Sequence, residues 1–171
     1  LALRSRWYRF GYACVNFGTP ISMRAWASER GLHFPDLDEA TRRQAVSQVG
    51  AELMERISAV IPVLPVSVVA RVLVKSPGQA FSALELKAAV HAEMETLAAR
   101  GARMYIPRED QDYAFDVGLR MLQLRRIVQA ADGLYRAVAG EEAVLAYYAN
   151  AIAHLDAGPA GAASAAVAEP A

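Results

Sequence analysis

The spacing of the apolar residues constrains the fold of this chain more than any other feature. In four segments these residues recur at steps of three and four, which is the pattern of a helix with one buried face. Prolines and glycines separate the segments, and both residue types end helices. The sequence therefore predicts a mainly α fold with one or two short strands. The four stripes run over residues 46–60, 86–97, 114–128 and 144–155.

Residues that cap helices stand in front of several of these segments. Ser22 is expected to cap a short helix, because its hydroxyl can accept a hydrogen bond from a backbone N–H of the first turn. Asp36 and Glu39 have the three-residue spacing of a capping box before the longest stripe. Ser82 and Glu85 have the same spacing. Helix starts are therefore predicted at all three places.

Two short segments favour strands. Side chains alternate between two faces over residues 12–17, and a second strand is predicted over residues 103–106, which end at Pro107. Gly133 is expected to end the helix that contains the third stripe. The run VSVVARVLV after Pro65 fits a buried short helix or a strand, because apolar runs of this length do not decide between the two.

Composition narrows the possible classes of protein. The chain has 171 residues, of which 54% are hydrophobic, so it is long enough for one domain with a real core. Its 18 basic and 18 acidic residues cancel, so no overall field attracts nucleic acid. The single cysteine excludes an internal disulfide and a multi-cysteine metal site. The uncharged apolar stretch at 57–70 is too short to span a membrane.

The two ends of the chain differ from its middle. Residues 1–30 carry five arginines against one glutamate, and aromatic residues are interleaved with the first of them. This basic aromatic front fits either a membrane interface or a helix end whose aromatic residues enter the core. After Asp156 the chain is almost entirely Ala, Gly and Pro, and this tail is predicted to be disordered. The chain begins with Leu and is expected to be part of a longer protein.

The candidate catalytic residues are few. His33 and Asp38 have the H-x-x-x-x-D spacing in which an aspartate orients an imidazole as a general base. The same aspartate is equally well explained as a residue of the turn and helix start. His91 and His154 lie far from His33 and from each other in the sequence. No catalytic residue, metal ligand or cofactor is therefore assigned from these patterns.

Other polar residues have both a functional and a structural interpretation. The Asn16 amide is placed either toward an active-site end of a sheet or in a structural role, and Gly18 permits a backbone turn. A last helix is predicted over residues 141–155, so Tyr147, Asn150 and His154 share one of its faces and could form a polar seam against the rest of the protein. The structural interpretation is favoured for both groups.

Residues 66–106 also resemble the helix, turn, helix and strand of a winged-helix module. The would-be recognition helix, residues 83–100, carries a net charge of −1, whereas binding in a DNA groove draws most of its affinity from cations. A nucleic-acid partner is therefore not expected. A non-enzymatic helical interaction module, winged-helix-like in outline, remains the alternative function.

Two motifs give the chain a family resemblance. YACVNFGTPIS, at residues 12–22, resembles the x-V-N-F-G-x-P-I segment that follows the catalytic core in bacterial and mitochondrial-type glycerol-3-phosphate acyltransferases. LAYYANAIAHL, at residues 145–155, resembles the L-x-Y-Y-x-N-x-x-x-H-L segment near the C-terminus of these enzymes. Between them, VIPVLPVSVVARVLV resembles the family's proline and apolar helix. The resemblance covers residues 10–155.

The resemblance implies a C-terminal portion of an acyltransferase. The family transfers a fatty acyl group from acyl-CoA or acyl carrier protein to glycerol 3-phosphate in phospholipid biosynthesis, peripherally at the cytoplasmic side of the cell membrane and without a cofactor. Its catalytic blocks precede the N-F-G-x-P segment. His33 and Asp38 follow that segment, so no catalytic role is carried over to them, and the residues that bind substrate stay unknown. This segment alone is expected to be inactive.

The resemblance also sets the expected domain limits. Residues 1–20 would be an end strand of the acyltransferase α/β sheet with its basic aromatic front, residues 21–155 the helical C-terminal region, and residues 156–171 the disordered tail.

Overall fold

The computed structural model describes residues 14–156, which form two compact units. One unit is residues 16–61, and the other is residues 62–156 with residues 14 and 15. Both units are built from helices, and the second adds a small antiparallel sheet. The α-helices are α1 (Met23–Glu29), α2 (Glu39–Ser58), α3 (Pro65–Lys75), α4 (Ala83–Ala99), α5 (Gln111–Leu124) and α6 (Glu142–Asn150). The strands are β1 (Phe81–Ser82), β2 (Val128–Ala131) and β3 (Leu134–Ala137), and short 3₁₀ helices cover Phe34–Asp36, Pro107–Glu109 and Ala153–Leu155.

This architecture confirms the predicted fold class, mainly α with short strands. The predicted domain limits at residues 20 and 155 stay predictions. The basic aromatic front lies in residues 1–13 and the tail beyond Asp156 in residues 157–171, both outside the described residues. No helix over residues 14–156 is both long enough and apolar enough to cross a membrane.

The first unit is held together around Trp26, which is 3% exposed on α1. Its indole N–H donates a hydrogen bond of 2.7 Å to Oε2 of Glu52 on α2. The guanidinium of Arg30 lies 4.2 Å from the centre of the Trp26 ring, in cation–π geometry. Ser22 caps α1 as predicted, since its hydroxyl accepts a hydrogen bond from the Ala25 N–H. One buried aromatic residue thus joins the two helices.

The long helix α2 confirms the prediction from its stripe, but its predicted cap was wrong. Asp38, not Asp36, is the N-cap, and its carboxylate accepts a hydrogen bond of 2.9 Å from the Thr41 N–H. Asp36 instead lies in the preceding 3₁₀ helix and contacts His33. The chain makes that extra turn because Pro35 favours the start of a 3₁₀ helix there.

The apolar stripe of α2, defined here as Val46, Leu53 and Ile57, is exposed. These side chains are 59%, 46% and 43% exposed, respectively, and Ala45 is the buried residue of this helix. The three positions lie on one face of α2, because they are separated by about two and about one helical turns. The sequence predicted the stripe correctly but not its exposure.

The second unit is built around α3. Eight of its eleven residues are buried, and the helix packs against α4, α5 and α6. A helix with this many apolar side chains is stable only when a core covers them. Pro65 supplies the first helical residue, where its missing N–H is not needed. The run VSVVARVLV is therefore a helix, which decides between the two predicted alternatives.

The capping box of Ser82 and Glu85 is present as predicted. The Ser82 N–H donates to the Glu85 carboxylate at 2.8 Å, and the Ser82 hydroxyl accepts from the Glu85 N–H at 3.3 Å. The strand predicted over residues 103–106 is reduced to a single parallel bridge, in which Met104 pairs with Val63. Pro107 and the 3₁₀ helix that starts with it stop the ladder from growing.

The helix predicted to continue to Gly133 was wrong at its end. Helix α5 stops at Leu124, and β2 and β3 form an antiparallel hairpin in which Ala131 pairs with Leu134. Asp132 and Gly133 make the two-residue turn with φ of 53° and 75°, the left-handed values that a type I′ turn requires. β3 also pairs with β1, which gives the sheet order β1–β3–β2.

The strand predicted over residues 12–17 is not formed where the structure describes it. Residues 14–17 belong to no strand, and the side chains of Val15 and Phe17 are 77% and 91% exposed. A strand needs a neighbour to satisfy its backbone groups, and no strand pairs with this segment in the described chain. Residues 12 and 13 lie outside the described residues.

A buried charge cluster joins three parts of the second unit. The Arg71 side chain on α3 is 7% exposed, and its Nε donates a hydrogen bond of 2.6 Å to Glu93 on α4. The two Nη atoms of Arg71 donate in a fork to both carboxylate oxygens of Asp156. Lys75 donates to Glu93 at 2.8 Å. Asp156, the first residue of the predicted tail, is thus tied to the core helix.

Acidification is expected to weaken this cluster. Burial raises the pKa of Glu93, but hydrogen bonds from Lys75 and Arg71 outweigh burial and leave that pKa below its ordinary 4.5. The hydrogen bond from Arg71 likewise lowers the pKa of Asp156 from its ordinary 3.8. A carboxylate whose pKa is lower in the folded chain stabilises the fold above its ordinary pKa. That contribution is lost as the pH falls through 4.5 and 3.8 toward the lowered values.

Urea unfolding at neutral pH and at about pH 3 measures this loss. The Asp156→Asn variant removes one of the two titrating groups, so its free energy of unfolding should fall less on acidification than that of the parent chain. Equal losses in the two proteins would show that Asp156 titrates independently of folding.

Candidate functional site

The second unit contains a groove of about 530 Å³. It lies between the start of α3, the face of α5 that carries Val117, Gly118 and Met121, and the end of α6. This volume is in the range of small-molecule sites, about 300–1,000 Å³. The lining residues are Leu64, Pro65, Val66, Ser67, Val117, Gly118, Met121, Arg125, Tyr147, Tyr148, Asn150 and Ala151.

A close helix contact forms the floor of the groove. A Cβ atom on Gly118 would lie 2.8 Å from the carbonyl carbon and oxygen of Pro65 and 3.1 Å from the Val66 nitrogen. Only glycine therefore allows α5 to approach the start of α3 this closely. An isolated glycine inside a helical stripe is a signal for such a contact, although nothing in the sequence identifies its partner.

Aromatic and cationic side chains form the rim. The rings of Tyr147 and Tyr148 meet edge to face, with centroids 5.7 Å apart and planes at 82°. The guanidinium of Arg125 lies 5.2 Å from the centre of the Tyr148 ring. Tyr147 is 73% exposed, so its ring is available at the mouth of the groove. The rim thus combines two phenols with one positive charge.

The polar seam predicted from Tyr147, Asn150 and His154 was wrong. Helix α6 ends at Asn150, and His154 belongs to the 3₁₀ helix that follows, so the three residues do not share one continuous helix face. Tyr147 and Asn150 are exposed and line the groove. The motif that carried the family resemblance therefore contributes to a surface groove.

His33 and Asp38 do not form a catalytic pair. Nδ1 of His33 lies 2.7 Å from the carboxylate of Asp36, and both side chains are more than 70% exposed. The Asp38 carboxylate is occupied by Thr41, whose backbone N–H and hydroxyl both donate to it. The hydrogen bond from the Thr41 backbone lowers the pKa of Asp38. Asp38 is thus a helix cap, as its structural interpretation proposed.

The remaining candidates also make structural contacts. The Asn16 amide donates a hydrogen bond of 3.0 Å to the Val60 carbonyl, which favours the structural interpretation. Nε2 of His91 lies 3.6 Å from the carboxylate of Asp112, which is also paired with Lys87 at 2.8 Å. Among residues 14–156 there is no group of three or more His, Cys, Asp or Glu side chains that could hold a metal ion.

Sequence reasoning missed the groove as a site. Tyr147, Tyr148 and Asn150 belong to the motif at residues 145–155, and Pro65 precedes the apolar run. No sequence pattern indicates that these two segments line one groove. Val117 is recognisable in the sequence only as a residue of the helical stripe, and Arg125 only as a surface charge. Their meeting depends on how α5 and α6 cross α3.

Comparison with known proteins identifies the family. The model of the glycerol-3-phosphate acyltransferase C-terminal region matches residues 2–170, nearly the whole chain. No curated protein and no solved structure gives a significant match. The match includes both motifs on which the resemblance was based, and it confirms that resemblance. The chain therefore belongs to the family of glycerol-3-phosphate acyltransferase C-terminal regions.

Proposed function

We propose that this chain is the C-terminal part of a glycerol-3-phosphate 1-O-acyltransferase. The complete enzyme would transfer a fatty acyl group from acyl-CoA or acyl carrier protein to the first hydroxyl of glycerol 3-phosphate. The observation that carries the proposal is the family match over residues 2–170. The matching region is by description C-terminal, so the catalytic groups are proposed to lie upstream in the same polypeptide.

The side chains that line the groove are consistent with catalytic groups that lie upstream of this chain. Acyl transfer to a hydroxyl needs a general base within hydrogen-bond reach of that hydroxyl. Among the described residues, those that line the groove include no histidine and no carboxylate. His33, the one histidine with a suitable aspartate spacing, contacts Asp36 at the surface. The groove is therefore proposed as a binding or packing surface rather than an active site.

An activity assay on two lengths of the protein tests the proposal. The upstream reading frame should encode an H-x-x-x-x-D motif, and the longer protein should form lysophosphatidate from a long-chain acyl thioester and glycerol 3-phosphate. The 171-residue chain alone should not. Replacing the upstream histidine with alanine should abolish turnover, whereas His33→Ala in the same protein should leave it unchanged. Turnover by the 171-residue chain would overturn the proposal.

We also propose that α2 binds the surface of the membrane, as expected of a peripheral enzyme on its cytoplasmic side. The apolar stripe of α2 is exposed along one face, and helices that lie at a membrane interface bury such a face among the lipid head groups and upper acyl chains. The product of the proposed reaction carries a fatty acyl chain and would enter the membrane at the same surface.

Replacing Leu53 and Ile57 together with serine should weaken vesicle binding about tenfold or more. Full burial of an aliphatic side chain contributes about 1.5–3 kcal/mol, and each of these side chains has a little less than half of its surface left to bury. Co-sedimentation with vesicles of phosphatidylglycerol and phosphatidylcholine in equal parts measures the effect. The control replaces Gln44 and Gln48 with serine, since both lie on the opposite face of α2. Equal vesicle binding by the two double variants would show that the apolar stripe of α2 does not bind the membrane.

The topology favours one alternative function. In the second unit the elements follow the order α3, β1, α4, α5, β2 and β3, with sheet order β1–β3–β2, which is the arrangement of a winged-helix module. The helix before the hairpin is α5, so the predicted recognition helix at residues 83–100 was the wrong one. Two aspartates and one arginine lie on α5, which disfavours DNA and favours a protein partner. Salt-sensitive retention on a duplex DNA column would contradict that preference.

A further inference from the structure

The start of helix α3 opens into the groove of the second unit. Its N-cap is Leu64, whose apolar side chain cannot cap the helix, and its first turn carries no acidic residue. The N–H groups of Ser67 and Val68 turn back to the Leu64 carbonyl, at 3.0 and 3.3 Å. The N–H of Val66 lies outside these two bonds, and Val66 lines the groove. The positive end of the α3 dipole therefore faces the groove with no anionic cap from its own first turn.

Ser67 places a buried hydroxyl beside this helix end. The residue is 3% exposed and lines the groove. Among residues 14–156, no side chain or backbone group forms a hydrogen bond with the Ser67 hydroxyl. A buried polar group without a protein partner calls for a bound one. The hydroxyl and the N-terminus of this helix of 11 residues together favour an occupant that accepts hydrogen bonds and carries a negative charge.

The apolar surface around this polar end is larger than the groove itself. Val117 and Met121 line the groove from α5, and Tyr147, which is 73% exposed, lines it from α6. Leu124 on α5 and Val144 on α6 are 43% and 42% exposed. Helical spacing places both on the faces of α5 and α6 that line the groove. A small anion would leave these side chains in water, whereas a polypeptide segment can cover them.

We propose that this groove binds a partner protein through a segment in which an Asp or Glu residue stands beside aliphatic residues. The carboxylate would accept hydrogen bonds from the Val66 N–H and the Ser67 hydroxyl, as an N-cap side chain does at other helix starts. The aliphatic side chains would lie on the apolar faces of α5 and α6. Charge complementarity selects this occupant, because the helix N-terminus is positive and the described lining residues carry no carboxylate. The inference does not depend on the proposed acyl transfer.

Selection of random short peptides displayed on phage, with the 171-residue chain as the target, tests the chemistry of the partner. The selected peptides should share an acidic residue flanked by aliphatic residues. In the strongest binder, replacing that acidic residue with its amide should weaken binding about tenfold, because hydrogen bonds to an ionised acceptor are the stronger ones. Titration calorimetry with the two synthetic peptides measures the difference.

A competing carboxylate in the chain itself locates the site. Leu64→Asp places a carboxylate at the N-cap of α3, so it should weaken binding of the acidic peptide about tenfold or more relative to Leu64→Ala. Leu64→Ala removes the same aliphatic side chain without adding a charge. The two variants should bind the amide peptide equally. Because Asp is a favourable N-cap, Leu64→Asp should also unfold at higher urea concentration than Leu64→Ala, which checks that it is folded.

The hydroxyl is tested separately. Ser67→Ala should weaken the acidic peptide about tenfold and the amide peptide less, because the lost hydrogen bond is charge-assisted only with the acidic peptide. Ser76→Ala, at the C-cap of the same helix and outside the lining, is the matched control and should change neither affinity.

Several outcomes would overturn the proposal. These are selected peptides without a shared acidic residue, equal affinity of Leu64→Asp and Leu64→Ala for the acidic peptide, or equal effects of Ser67→Ala and Ser76→Ala. A photo-crosslinker at position 147 of the longer protein should capture a second protein. Capture of only the upstream part of the same polypeptide would show that the enzyme itself fills the groove and would exclude a separate partner.

Discussion

Replacing Arg71 with methionine should lower the free energy of unfolding by about 3 kcal/mol or more. The change removes the one group that contacts both Glu93 and Asp156, and Glu93 is only 13% exposed. Removing one partner of a buried ion pair typically costs about 3–5 kcal/mol. Lys75 and Arg100, both about half exposed, still lie beside Glu93 and Asp156, which places the expected loss at the lower end of that range. A domain of this size is stable by about 5–15 kcal/mol, so the loss is a large fraction of the total.

Urea unfolding followed by circular dichroism measures this loss, and Lys75→Met is the matched control. Lys75 contacts the same Glu93 carboxylate but is 51% exposed, and exposed ion pairs contribute about 0–1 kcal/mol. The double variant Arg71→Met with Glu93→Met should recover part of the loss, since it also removes the nearly buried carboxylate of Glu93. If Lys75→Met lowers the free energy of unfolding as much as Arg71→Met does, the burial of Arg71 does not explain the loss.

Alanine at Gly118 should destabilise the second unit by about 1–3 kcal/mol, the usual cost of overpacking. The added methyl group would lie 2.8 Å from backbone atoms of Pro65, which cannot rotate away as a side chain can. Helices α3 and α5 must therefore separate, and the floor of the groove opens. Alanine otherwise favours a helix over glycine by about 1 kcal/mol, so any destabilisation has to overcome that gain.

Gly50 on α2 provides the matched control, because a Cβ atom there would meet nothing within 4 Å. Gly50→Ala should therefore stabilise its helix by about 0.5–1 kcal/mol. Hydrogen exchange of peptides from each helix reports the two effects separately, with slower exchange in α2 and faster exchange in α5. If Gly118→Ala and Gly50→Ala both slow exchange in their helices, the contact with Pro65 does not limit the packing of α5.

Local rules predicted the features that depend on neighbouring residues. The caps at Ser22 and Ser82 and the long helix α2 follow from residues within one or two turns. The hairpin was missed although Asp132–Gly133, between the short segments at 128–131 and 134–137, is a strong turn signal. Val128 falls at a helical spacing of four from Leu124, the last stripe residue of α5, so periodicity alone extends the helix into the hairpin.

Features that depend on distant residues were not predictable in the same way. The stripe of α2 looks like a core-facing surface, because periodicity reports amphipathicity and not what covers the apolar face. The groove requires Pro65, Gly118 and Tyr147 to meet, and their sequence separation carries no information about that meeting. The family resemblance was predictable because its two motifs keep their residue order along the chain.

The contacts of Arg71 with Glu93 and Asp156 also set an order for folding during synthesis of the chain. Asp156 stands 85 residues after Arg71, so a growing chain presents the buried guanidinium long before its second carboxylate exists. Until then, of these two carboxylates, only that of Glu93 can pair with Arg71. Arg71 lies on α3, the helix against which α4, α5 and α6 pack. Ribosome-bound intermediates of this unit should therefore stay incompletely closed until residue 156 has left the exit tunnel.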